Sequence, residues 1–166
     1  MLPLRYPLRS LWVRRSRAAL SVGVIALVVM ALALLSGCAS VPMMGAEEDT
    51  RAKSFAPSPG KANIYVYRNE TMGAAITMDV SLDGKSAGKT ASKTYFLFEV
   101  DPGTHALAST AENTSTLQVN AQPGRNYFVW QEVKMGVMTA RSQLSLVDEA
   151  TGKAAVNECK RIQSAF

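Results

Sequence analysis

The sequence predicts an all-β fold, an antiparallel β-sandwich of about seven strands, and three observations carry that expectation. Short segments of β-branched and aromatic residues with period-two alternation recur from Ala62 onward. Turn signals at Asp83-Gly84, Pro102-Gly103 and Pro123-Gly124 punctuate them. No segment of the domain carries a strong helical period.

Taken in order, Ala62–Arg68 (ANIYVYR) is the first strand, and Ile76–Leu82 (ITMDVSL) alternates before meeting Asp83-Gly84, a type I′ hairpin signal. Tyr95–Val100 (YFLFEV) stops at Asp101-Pro102-Gly103, and THALAST leads away. STLQVNA stops at Gln122-Pro123-Gly124, and NYFVWQEV leads away in turn. Proline presets the first turn dihedral and glycine takes the positive φ that follows, so both Pro-Gly pairs are expected to be tight type II turns. The last strand is SQLSLVD, Ser142–Asp148, and EATGKAAVNECKRI beyond it reads as a short, poorly capped helix.

Ahead of the domain, Ala39–Lys61 (ASVPMMGAEEDTRAKSFAPSPGK) has small residues, a charge cluster and two prolines, without helical or strand periodicity. It reads as a flexible tether. Upstream again, the run Ala18–Leu35 is apolar apart from Ser21 and follows Arg5, Arg9, Arg14, Arg15 and Arg17 with no acidic residue. That is the charged and apolar layout of an export signal. At about 18 residues the run is also just long enough to span a bilayer, so length alone leaves a retained anchor helix open. Either way the arginine-rich end stays inside and the rest of the chain lies outside the cytoplasm.

The exit from the run, Leu35-Ser36-Gly37-Cys38, resembles the lipobox of bacterial lipoproteins at all four positions. The resemblance implies cleavage between Gly37 and Cys38 and acylation of the Cys38 sulfur, with membrane lipid as the partner. The residue after it is Ala39 rather than Asp, which by the sorting rule of such lipoproteins implies the periplasmic face of the outer membrane; the inner membrane is the alternative. The expected organisation is a signal peptide over 1–37, lipidated cysteine and tether over 38–61, and the β-sandwich over 62–166.

The formal charge of +5 belongs to the leader. Its five arginines account for the excess, and the remainder is balanced, which leaves no basic surface for nucleic acid. Cys159 is then the odd thiol of an exported domain, with burial or an intermolecular disulfide as its fates.

From Lys61 to about Cys159, the stretch KANIYVYR…VSLDGKSAGKT…TYFLFEVDPGTHALAS…LQVNAQPGRNYFVW…LSLVDEATGK resembles the bacterial lipoproteins of domain of unknown function 2846. It is also similar to PEGA modules in its V-x-L-D-G-K hairpin and its Pro-Gly turn. The resemblance implies a prealbumin-like or immunoglobulin-like sandwich and assigns no activity.

Candidate sites are few. His105 is the single histidine, and alone it makes neither a catalytic triad nor a zinc site. The carboxylates Asp79, Asp83, Glu99, Asp101, Glu112 and Glu132 would need a close pair for hydrolysis, and turns or exposed strand positions account for them. Gly88-Lys89-Thr90 ends like a phosphate loop, but the spacing from Gly84 is one residue short. The methionines Met43, Met44, Met72, Met78, Met135 and Met138 lack the clustering of a copper site. Consecutive aromatics on a strand point to opposite faces, so Tyr95, Phe96, Tyr127, Phe128 and Trp130 should send one ring of each pair inward and leave others as a partner surface. The functional expectation is a lipid-anchored, non-catalytic envelope protein that binds a protein or polymer, without cofactor or metal. The alternatives are a scaffold subunit of a larger envelope complex and a cryptic hydrolase.

Overall fold

The computed structural model describes residues 40–166, and Gly37 and Cys38 lie outside the described residues. Helix α1 (Ala46–Ala52) precedes eight strands: β1 (Ala62–Arg68), β2 (Met78–Leu82), β3 (Lys85–Thr90), β4 (Thr94–Val100), β5 (Gly103–Thr110), β6 (Thr114–Ala121), β7 (Asn126–Met135) and β8 (Ala140–Val147). Helix α2 (Glu149–Asn157) and a two-residue strand β9 (Lys160–Arg161) follow. Among the described residues no helix is long and apolar enough to cross a membrane.

The strands form a β-sandwich of two sheets, ordered β8-β7-β1-β4-β9 and β3-β2-β5-β6. Pairing is antiparallel except for β1 with β7 and β4 with β9, which run parallel. The Asp83-Gly84 signal is met: both residues take positive φ, 51° and 77°, as a type I′ hairpin requires. Gly124 sits at φ 74° as a type II turn demands, whereas Gly103, at φ 148°, departs from that turn and opens β5 directly.

Between the sheets lies an apolar core containing Ile64, Val66, Val80, Phe96, Phe98, Leu107, Val129 and Leu144. A polar seam crosses one end of it. The Thr90 hydroxyl donates to Gln131 Oε1 at 2.5 Å, Gln131 Nε2 donates to Ser109 Oγ at 2.6 Å, and Ser109 shares a 2.5 Å bond with Ser142. All four residues are buried, and each satisfies the next, so the seam ties both sheets without leaving these groups unpaired.

The outer face of the five-stranded sheet is covered as well. Tyr65, Tyr67, Tyr95 and Phe128 pack there against Ala52 of α1, Phe55, and Ala155 and Val156 of α2. Tyr65 stacks on Phe128 with ring centroids 5.0 Å apart, and Phe55 meets both rings at 5.3 and 5.7 Å. Every residue of β1 is consequently buried. That two-sided burial is why the centre of β1, Ile64–Tyr67, reads as an apolar run rather than a strict alternation.

Two expectations are corrected here. The segment expected to be a flexible tether is docked over most of its length. Val41 packs on the core, Met43 bridges Ile162, and α1 follows with Glu47, Glu48 and Asp49 in its first turn and Arg51 in its last, the arrangement that complements a helix dipole. Asp49 is the fastening point: its carboxylate accepts from Tyr95 OH at 2.9 Å, the Arg161 backbone N–H at 2.8 Å and Lys53 Nζ at 2.8 Å. The second correction concerns α2, which is well capped. The Asp148 carboxylate accepts from the Thr151 N–H at 2.9 Å and the Thr151 hydroxyl at 2.6 Å.

Candidate functional site

The aromatic surface expected from the sequence does not form. Tyr95, Phe96 and Phe128 are buried, with at most 1% exposure, because the sheet that carries them is covered on both faces. Tyr127 is half-buried against the inter-sheet core, and its hydroxyl accepts from the Gln122 N–H at 3.0 Å. Trp130 is half-buried against the outer aromatic cluster. These five rings are structural.

Cys159 is buried, its Sγ 3.7 Å from the Arg68 carbonyl, and burial pushes its thiol pKa up to about 12. A group so placed is neither nucleophile nor ready disulfide partner. In a Cys38→Ala chain, a thiol-reactive chromogenic disulfide should leave native Cys159 unlabelled and react fully after denaturation; absorbance of the released thiolate checks this.

His105 is held from both sides. Its Nδ1 lies 2.7 Å from the Asp83 carboxylate and its Nε2 lies 2.8 Å from the Asp101 carbonyl. Both partners only accept, so meeting both requires a proton on each ring nitrogen. Burial lowers the imidazole pKa, but the hydrogen bonds to Asp83 and the Asp101 carbonyl, with the carboxylate charges, raise it on balance. The stability that follows is fully present below the unfolded histidine value near 6.5 and is lost as pH rises through the higher folded value. Between about pH 6 and pH 8 the native protein should lose up to about 1 kcal/mol, the ceiling for a partly solvated pair, and His105→Gln should abolish that slope. Urea denaturation across the range is the measurement.

The remaining candidate carboxylates are each engaged: Asp79 with Lys89, Glu99 with the Ser58 hydroxyl, Asp101 with Lys61, and Glu132 with Lys134. Among the described residues no group of three or more His, Cys, Asp and Glu side chains converges as a metal site. An open cleft of about 360 Å³ beside α1 is lined by Arg51, Asn63, Glu99 and Arg161, among others. Its arginines are also occupied, Arg51 by Glu47 and Arg161 by the Glu48 carbonyl.

Glu112 is different, and its role is invisible to a reading by residue type. It sits in the β5–β6 turn, yet its carboxylate accepts from the backbone N–H groups of Val137 at 2.7 Å, Met138 at 2.6 Å and Thr139. The Glu112 N–H in turn donates to the Ala140 carbonyl at 3.0 Å. Those hydrogen bonds, that of Thr139 first, hold the Glu112 carboxyl below its ordinary pKa against a smaller opposing contribution from burial. Gly136 permits the approach, because a methyl group there would overlap the carboxylate.

The loop fixed in this way is apolar and outward-facing. Met135, Val137 and Met138 are 84, 92 and 90% exposed. A run of such residues at a hairpin tip costs solubility and contributes nothing to the core, so its immobilisation needs a reason outside the fold. The sequence signal was the stretch MGVM between two strands, combined with an acidic residue in a neighbouring turn.

Comparison with known proteins bears on the chain as a whole. The family model described as protein of unknown function (DUF2846) matches residues 58–143, which spans the sandwich from the start of β1 into β8 and includes Glu112 and the apolar tip. An uncharacterized protein of Haemophilus influenzae is 35% identical over 127 residues, covering 75% of this chain and 76% of that protein.

Proposed function

We propose that this chain, which belongs to the DUF2846 family of proteins of unknown function, is a lipid-anchored, non-catalytic module of the cell envelope that engages a protein partner through its β7–β8 tip. The anchoring half rests on Leu35-Ser36-Gly37-Cys38 at the end of the apolar run, and Ala39 favours the periplasmic face of the outer membrane. The binding half rests on one observation: a carboxylate from a separate turn immobilises a loop whose three apolar side chains are exposed. Prepaid loop order lowers the entropy cost of docking such side chains.

The tip is also the part of the body remote from the anchor. Strand register places Met135 seven residues beyond Phe128 along β7, and Phe128 lies level with Tyr65 and Leu97, four strands across from the segment at Pro42. With about 3.3 Å per residue and 4.8 Å per strand, the separation is on the order of 30 Å.

A photo-crosslinking residue at Val137 should give a discrete adduct in intact cells. Glu112→Gln, which removes the charge that gathers the three N–H groups, should reduce that adduct at least threefold while leaving the denaturation midpoint close to native. An unchanged adduct yield with Glu112→Gln would refute the role given to loop order. An adduct that survives mild extraction as a stable assembly would identify the partner as a complex in which this chain is a subunit.

A further inference from the structure

The chain between Cys38 and the folded body is very short. Val41 already packs on the core, and the Pro42 carbonyl accepts from the Gln163 N–H at 2.9 Å. Pro42 is four residues from Cys38, so full extension allows at most about 14 Å between their Cα atoms. A lipid on Cys38 would therefore hold this edge of the sandwich at the bilayer surface.

The surface at that edge suits the position. Pro42 shares a shallow groove of about 260 Å³ with Ala87, Gly88 and Ala165, and the Ala165 N–H donates to the Ala87 carbonyl at 2.9 Å, closing the sandwich there. Two large apolar side chains stand at the same edge: Met43, in the neighbouring cleft on its α1 side, is 47% exposed, and Phe166, next to Ala165, is 57% exposed and stacked on Phe98 at 5.9 Å. Lys89 lies beside the groove and is paired with Asp79 at 2.6 Å, so it adds no unpaired charge there.

We infer that the edge formed by Pro42, β3 and Gln163–Phe166 is a bilayer-contacting surface, with Met43 and Phe166 entering the headgroup region and the sandwich resting directly on the membrane. This rests on acylation of Cys38. Burial of two apolar side chains at an interface orients a body that the short link already confines. The β7–β8 tip, four strands across from this edge, then stands clear of the lipid by roughly 19 Å.

The test uses the full acylated chain in vesicles of phosphatidylethanolamine and phosphatidylglycerol containing a nitroxide-labelled phospholipid. An environment-sensitive fluorophore is placed at Ala165→Cys, at Gln163→Cys as an independent site, and at Val137→Cys as the remote comparison; buried Cys159 does not compete for label. The inference expects lipid-borne nitroxide to quench positions 163 and 165 at least twofold more than position 137. Equal quenching, or stronger quenching at 137, in a chain whose intact mass shows the acyl groups would overturn the inference while leaving the lipoprotein reading in place. A chain without acyl mass would overturn that reading and the inference with it.

Discussion

Gly152→Ala should destabilise the protein by about 3 kcal/mol or more, the upper range for overpacking a close contact. Gly152 lies on the buried face of α2 with Ala155 and Val156, and a methyl group there would overlap the Cβ and ring of Phe128. Neither side has room to give. The Phe128 ring is pinned between Tyr65 and Phe55, and α2 is fixed at its start by the Asp148 cap. Alanine is intrinsically the better helix former by about 1 kcal/mol, so propensity alone predicts the opposite sign. Chemical denaturation distinguishes the two, with Ala154→Gly on the exposed face as the control that should cost only about 1 kcal/mol.

The second large effect is expected at Asp49→Ala, about 3 kcal/mol. Removal of this carboxylate strands the Arg161 N–H, leaves the Tyr95 hydroxyl only the Asp49 carbonyl at 3.4 Å, and leaves Lys53 its 2.7 Å bond to the Cys159 carbonyl. Unpaired buried donors cost about 1 to 3 kcal/mol each, and partial hydration at this half-buried site brings the sum down. Asp49→Asn keeps an acceptor for two of the three and should cost roughly half as much. Burial raises the Asp49 carboxyl, but its bonds to Lys53, Arg161 and Tyr95 outweigh that and lower it overall. The stabilisation is therefore present above the unfolded carboxyl value near 3.9 and is lost as pH falls through the lower folded value. Native protein and Asp49→Ala should accordingly approach each other in stability as pH falls through the folded carboxyl value and differ most near neutrality. The segment stays held in the variant by the Met43–Ile162 bridge, the Tyr65 hydroxyl on the Ala52 carbonyl and Lys53 on the Cys159 carbonyl, so α1 loosens without detaching and does not become the flexible link that the sequence suggested.

That contrast shows what local pattern conveys. The strands were legible because alternation and turn chemistry are local: Asp83-Gly84 fixes its hairpin by dihedral preference alone. The fate of Tyr95 and Phe96 was not. Alternation correctly sends the two rings to opposite faces, but it cannot tell whether the second face meets solvent or helices, and here α1 and α2 cover it. The apolar run Ile64–Tyr67 at the centre of β1 was the clue to two-sided burial. The segment AEEDTRA was read as a charge cluster, although acids before a base at helical spacing also describe a short helix with a favourable dipole. Its stability comes from Asp49 reaching a residue 112 positions away, which no window of sequence contains. Glu112 is the same kind of case, since its partners lie on a different hairpin 25 to 27 residues on.

The central claim is that a compact sandwich is carried on a lipid at Cys38 with almost no intervening chain. Intact mass of the protein extracted from membranes, measured beside a Cys38→Ala variant, tests it most directly. The account predicts a species that begins at Cys38 and carries added acyl mass, absent from the variant. An uncleaved chain that retains residues 1–37 without acyl mass would contradict it and would make the apolar run a membrane anchor in its own right.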